Sequence, residues 1–180
     1  MNLLVIRHGE TALNKAERLQ GSRGENVGLT DFGKSEVKRL RDELLLTPSV
    51  IYSSTLHRTQ ETAHIINERF GVRIVSTHDL VERDFGSLSG KLRSEIDPEL
   101  LEKDLEGRYD YRPFGGESVA DVRKRILHFL ATLDIASDDT IFVVTHRGVI
   151  RVLYDLFPEF ASGDEVIPAS KHAFTITSLP

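Results

Sequence analysis

The sequence contains no cysteine among its 180 residues. That absence removes disulfides, thiolate metal sites and cysteine nucleophiles together, and with them every cysteine-dependent phosphatase, protease and redox mechanism. A surplus of positive charge is missing as well: 23 lysines and arginines against 28 aspartates and glutamates leave a net charge of −5. Such a surface attracts neither nucleic acid nor an anionic membrane, so neither is expected as a partner, although local basic pockets stay possible. No apolar run approaches the about 20 residues that cross a bilayer. The apolar start, Met1 to Ile6, stops at Arg7-His8, with no basic stretch before it and no small-residue cleavage site after it. It reads as a strand rather than an export signal, and the cytoplasm is the expected location. No internal repeat, low-complexity tract or linker is visible, so a single domain over 1–180 is expected.

What is present is an alternation of strands and helices. Leu3-Leu4-Val5-Ile6 and Ile141-Phe142-Val143-Val144 are continuous apolar runs, the pattern of strands buried on both faces of a parallel sheet. Val50–Tyr52 and Val72–Val75 are shorter candidates for the same sheet. Thr30-Asp31 can cap a helix carrying Val37, Leu40, Leu44 and Leu45 and ending before Pro48. Thr59 to Phe70 reads as a second helix, with Gly71 as its stop. Ser118 to Leu133 reads as a third, with Ser118 as cap and an apolar stripe of Val122, Ile126, Phe129, Leu130 and Leu133. This order implies a layered α/β fold with right-handed crossovers. Leu92 to Pro113 breaks the rhythm and reads as short helices laid over the sheet, more a solvated excursion than a lid.

Ligands of open parallel sheets sit beyond the carboxyl ends of the strands. Both of the most apolar strands end there in a histidine beside a glycine: Arg7-His8-Gly9 and Thr145-His146-Arg147-Gly148. One such histidine alone reads as a hydrogen-bonded strand end; two in matching places argue for a site. Val50–Tyr52 runs into Ser53-Ser54 and then Arg58 at a helix start, which points a guanidinium at the same rim. Arg7 and Arg58 together offer forked donors suited to phosphate oxygens, and the free amides at the helix starts near Arg58 and Gly148 add to that anion site. His57, His64, His78, His128 and His172 lack converging partners and read as structural or exposed.

In order along the chain, Arg7-His8-Gly9-Glu10-Thr11, Asn14, Ser53-Ser54 with Leu56 and Arg58-Thr59, Glu82 within Leu80 to Gly86, Gly115-Gly116-Glu117-Ser118, and Thr145-His146 resemble the successive signatures of the histidine phosphatase superfamily, in its phosphoglycerate mutase-like branch. The resemblance implies a three-layer α/β fold with a mostly parallel central sheet and helices on both faces. It also implies phosphoryl transfer through a phosphohistidine, with no metal and no cofactor, on a small-molecule phosphate ester. His8 is then the nucleophile. Arg7, Arg58 and His146 hold the phosphoryl oxygens, Asn14 adds a neutral hydrogen bond, and Glu82 is the general acid. The plain alternative for Glu82 is a salt bridge with Arg83. Gln20 and Gly21 fall where the family's first loop reaches toward substrate, and Glu117 and Ser118 read as a turn and a cap. Arg147 stands where many members carry glycine or a small residue, and reads as a charge at the pocket mouth with solvent as the alternative.

Leu13 replaces the tryptophan usual in the mutases, and Asn26-Val27-Gly28-Leu29-Thr30 replaces their Asp-x-Pro-Leu-Thr. The cover from Gly86 to Gly115 is short beside the long insertion of those mutases. A short cover excludes water less well, which favours hydrolysis over mutase activity. A catalytically idle phospho-ligand module is disfavoured because Arg7, His8, Arg58, Glu82 and His146 are all present. Substrate identity and oligomeric state are not legible.

Overall fold

The computed structural model describes residues 1–23, 26–134, 137–160 and 165–179. Its centre is a five-stranded sheet built from β1 (Asn2–Arg7), β2 (Val50–Ser54), β3 (Ile74–Thr77), β4 (Thr140–Thr145) and β5 (Lys171–Thr175) in the order β3-β2-β4-β1-β5. All neighbours run parallel except β5, which lies antiparallel to β1. The helices are α1 (Ala12–Lys15), α2 (Asp31–Glu43), α3 (His57–Phe70), α4 (Pro98–Leu105), α5 (Val119–Ala131) and α6 (Arg147–Leu156).

The unbroken apolar runs of β1 and β4 follow from burial on both faces. Leu3, Val5, Ile141 and Val143 pack into one core with Val122, Ile126, Phe129 and Leu130 of α5 and Val149, Ile150 and Leu153 of α6. The alternate residues Leu4, Ile6, Phe142 and Val144 turn the other way, onto Val37 and Leu40 of α2 and Ala63 and Ile66 of α3. Successive side chains of a strand point to opposite faces, so two cores on one sheet require apolar residues at every position. Three layers result: helices, sheet, helices.

Caps set the helix boundaries. Thr30 and Ser118 each accept a backbone N–H of the first turn, from Gly33 and Asp121 respectively, and Gly71 closes α3 in the left-handed region at φ 62°. Four expectations from sequence shift. Leu45 does not belong to the apolar stripe of α2, which ends at Glu43; Leu44 is buried while Leu45 is 94% exposed. The third strand begins at Ile74 rather than Val72, because the Asn67 side chain both donates to Val72 O (2.8 Å) and accepts from Val72 N (2.9 Å), holding that residue in the turn. β5 is an addition to the expected strands: only His172 and Phe174 face inward, so it carries the weak alternating signal of a strand with one face in solvent. The stretch from Leu92 to Pro113 is not a solvated excursion. Ile96, Tyr109 and Tyr111 are buried in the core of the α5–α6 face, and Asp104 of α4 is buried against Arg83, Oδ2 to Nη2 at 2.6 Å.

That ion pair fastens the cover to the body of the protein, with both side chains about 3% exposed and the Arg83 guanidinium 4.9 Å from the ring centres of Phe85 and Tyr109. Removing one member of a buried pair strands the other charge. Asp104→Ala is therefore expected to cost about 3–5 kcal/mol, whereas the double change Arg83→Met, Asp104→Leu should lose much less, as read by urea unfolding of the three proteins.

Candidate active site

The parallel register of β1 and β4 pairs Ile6 with Val144 and Arg7 with Thr145, so the next residues, His8 and His146, emerge side by side at the carboxyl rim. Their rings meet edge to face with centroids 5.2 Å apart. Both are buried. β2 lies on the far side of β4, and from its end α3 starts at once, placing Arg58 in the first turn of that helix, behind His146.

Each ring's hydrogen bonds decide its tautomer. His8 Nδ1 lies 2.7 Å from Gly9 O, and because a carbonyl only accepts, Nδ1 carries the proton. Nε2 is left with its lone pair. Burial, then the charges of Arg58 and Arg7, hold the His8 pKa well below its ordinary value, so the ring is neutral at pH 7. His146 Nδ1 accepts from Arg58 Nε at 3.3 Å, which places its proton on Nε2, donated to Ser54 Oγ at 2.9 Å. Its pKa is also held well below the ordinary value, by burial first and then by Arg58 and His8.

A cavity of about 420 Å³ opens in front of this pair. Arg7, His8, Asn14, Gln20, Glu82 and Arg147 all line it. Arg7 donates from Nη1 to Val166 O (2.7 Å) and its buried Nε has no partner among the described residues, while burial and then Arg147 pull its pKa down to about 10. Asn14 Oδ1 accepts from Thr11, leaving the amide NH₂ for a ligand. Gln20 Oε1 accepts from Thr11 Oγ1 (2.7 Å), and its buried Nε2 has no partner among the same residues.

Glu82 reaches the rim through a backbone tie: Thr145 Oγ1 donates to Leu80 O at 2.7 Å, pinning the segment before Glu82 to the end of β4. Its carboxylate then accepts Arg83 N (2.9 Å) and Gly148 N (3.1 Å). Gly148 leaves room for this contact: a Cβ there would stand 2.2 Å from both Glu82 Oε1 and Arg83 Nη1, and those side-chain ends would have to shift. The salt bridge weighed against an acid role is the looser contact, Arg83 Nη1 to Glu82 Oε1 at 3.8 Å, and Arg83 is committed to Asp104.

Three expected site residues lie deeper than the rest. Arg58 and His146 sit off the open part of the cavity, in an almost wholly buried layer beneath His8, held by each other, by Ser54 and by Gly21 O, which accepts from Arg58 Nη2 at 3.2 Å. Burial brings the Arg58 pKa down to about 10. Gly21 is likewise not on the lining: it props Arg58, and a Cβ there would come within 2.9 Å of Arg83 O and of the Phe85 ring. Glu117 does more than turn the chain, accepting Asp84 N (2.8 Å) and Arg125 Nε (3.2 Å). His128 and His172 have partners after all, in Asp79 and in Tyr154 with Ser170.

Sequence reasoning missed two arginines at the mouth, Arg18 and Arg93. They arrive by a pairing distant in sequence: Leu19 N donates to Lys91 O, Arg93 N to Glu17 O, and Arg18 Nη1 to Gly90 O. No local pattern announces such a clasp. Among the described residues no three His, Asp or Glu side chains converge on a metal position, and no helix is long and apolar enough to cross a membrane.

The family described as histidine phosphatase superfamily (branch 1) matches residues 3–164. Phosphoglycerate mutase-like protein 4 of Arabidopsis thaliana is 33% identical over 97% of this chain and 79% of its own length. A metal-independent phosphoserine phosphatase of the same plant is 31% identical over 93% of this chain and 73% of its own. The crystal structure of a phosphoglycerate mutase from Thermus thermophilus superposes with a TM-score of 0.77, at 31% identity, covering 96% of this chain and 92% of that one.

The two buried neutral histidines give stability a pH dependence of definite sign. In the unfolded chain both titrate near the ordinary value of about 6.5, so below that pH the unfolded state binds protons that the folded state refuses. Stability is complete above that pH and is lost as the pH falls toward the lowered folded values. Urea unfolding at pH 7.5 and 5.5 should show this loss, and it should shrink in His8→Gln; an equal loss in the variant would place the effect elsewhere.

Proposed function

Because the chain belongs to the histidine phosphatase superfamily, branch 1, we propose that it is a metal-independent phosphomonoester hydrolase that acts through a phosphohistidine on a small phosphorylated metabolite in the cytoplasm. The observation that carries the reading is the His8 tautomer: Nδ1 is tied to Gly9 O, and the free Nε2 belongs to a neutral ring among arginines. In the first step Nε2 attacks phosphorus, the N–P bond forms and the P–O bond to the alcohol breaks. Glu82 enters this step protonated and gives that proton to the departing alkoxide. In the second step water attacks phosphorus and gives its proton to Glu82, the N–P bond breaks, and inorganic phosphate leaves. Arg7, with Asn14 and Gln20 beside it, binds the phosphoryl oxygens, while Arg58 and His146 act from the layer beneath by offsetting the charge of the transition state.

Hydrolysis is favoured over transfer by the short cover between Gly86 and Gly115, which leaves water a route to the phosphohistidine. A phosphoglycerate mutase is the second reading, favoured by Arg18 and Arg93 at the mouth, where a bisphosphate could place its second group. Isomerisation of 3-phosphoglycerate with a bisphosphate primer, faster than phosphate release, would establish that reading instead.

Hydrolysis of nitrophenyl phosphate should survive chelator and fall to background in His8→Ala; activity lost to chelator yet kept in His8→Ala would overturn the mechanism. Glu82→Gln should slow esters of alkyl alcohols by about 10²–10⁴. Nitrophenolate needs no proton, so its ester should suffer far less. Equal losses for both would remove Glu82 as the acid.

A further inference from the structure

A second cavity, of about 560 Å³, adjoins the first, and Arg7 and Arg147 line both. Beyond that shared partition its wall includes Arg151, Leu105, Glu165 and Ile167. Arg147 and Arg151 stand one turn apart on α6, about 6 Å along the helix axis. Like charges at that spacing weaken a helix, so the pair costs stability unless something occupies it. Burial and then Arg151 bring the Arg147 pKa down to about 10, and burial lowers that of Arg151 as well.

Among the described residues neither arginine forms an ion pair with a carboxylate; Asp155, one turn beyond Arg151 on α6, meets it only as a longer-range charge. Arg147 Nε is buried without a partner. Asp104, the buried acid nearest in charge effect to Arg151, is taken by Arg83 at 2.6 Å. Glu82 faces the start of the same helix and accepts backbone N–H groups instead. Glu165 is exposed and forms no ion pair with either arginine. Beside the arginines the wall carries Tyr154 and Glu165 as well as an apolar part open to solvent, with Leu105 58% and Ile167 55% exposed.

We propose that Arg147 and Arg151 form a second anion subsite, which selects phosphate esters whose alcohol portion carries a carboxylate or a further phosphate, its carbon skeleton lying across Leu105 and Ile167. The assignment rests on the phosphatase reading above and deepens it. The ester phosphate occupies the first cavity against His8 and Arg7; the leaving group passes the partition into the second. Arg147 touches both halves of the substrate, whereas Arg151 touches only the distant anion. Arg151 is thus the residue that reports on the subsite alone.

The test compares matched esters that differ in the distant group: 3-phosphoglycerate against glycerol 3-phosphate for a carboxylate, and fructose 1,6-bisphosphate against fructose 6-phosphate for a phosphate. The wild-type enzyme should favour the doubly anionic member of at least one pair by about tenfold in kcat/KM, the scale of one charge-assisted hydrogen bond, and the pair that shows it identifies the group. Arg151→Gln should bring that ratio close to one, chiefly through KM, and Arg151→Lys should restore part of it. Ratios near one in both pairs for the wild type, or a preference untouched by Arg151→Gln, would overturn the subsite. A direct measurement separates this from failure of the phosphatase reading. In a His8→Ala background, calorimetry should show the favoured doubly anionic ester losing about tenfold in affinity on Arg151→Gln while its partner loses little. Binding that ignores Arg151 would overturn the proposal whether or not any ester is hydrolysed.

Discussion

Arginines held close together and away from water dominate this molecule. Arg7, Arg58 and Arg147 all have pKa values drawn down to about 10 by burial, and the carboxylates near them are few. Crowding like charges in a desolvated space is unfavourable, so the rest of the fold must hold them there. The two-faced sheet core does so, with backbone carbonyls in place of counter-ions: Val166 O for Arg7 and Gly21 O for Arg58. Burial first, and then the same crowding, keep His8 and His146 neutral, since a proton on either ring would add a further charge to the cluster. A phosphoryl group entering the cavity brings negative charge to a site whose lining holds more arginines than carboxylates.

Parallel register converts this chemistry into geometry. Because β4 sits between β1 and β2, three strand ends open on one rim and deliver Arg7 with His8, His146, and Ser54 followed by Arg58. The Thr145 hydroxyl then draws the Leu80 backbone to that rim and Glu82 with it. Segments far apart in the chain thus meet through bonds made by residues next to the histidines themselves. The layers differ in exposure: Arg7, His8 and Asn14 border the cavity, and Arg58 and His146 lie in the stratum below.

Much of this is legible in the sequence, for physical reasons. Runs such as Leu3–Ile6 and Ile141–Val144 leave no polar position for solvent, so their central place in the sheet can be read directly, and the paired histidines at their ends follow. β5 is hidden because one of its faces is wet and its polar residues dilute the pattern. Val72 misleads because a single asparagine side chain overrides its strand preference. Depth is hidden more thoroughly. A motif tells which residues gather at a rim but not how deep each lies, and burial of Arg58, His146 and Gly21 is a depth that no spacing announces. The mouth arginines Arg18 and Arg93 depend on the pairing of residues 17–19 with 90–93, which no spacing within either segment encodes.

Gly148 bears on how such a site can diversify. Its missing side chain lets the Glu82 carboxylate rest against the first turn of α6, and a side chain there would push that carboxylate away. One position earlier, Arg147 faces open cavity on two sides. Adjacent positions are therefore under different constraints: a side chain at 148 would displace the Glu82 carboxylate, whereas a change at 147 alters the walls of both cavities and the charge beside Arg7. In such a scaffold position 148 seats the carboxylate and position 147 sets the character of the pocket.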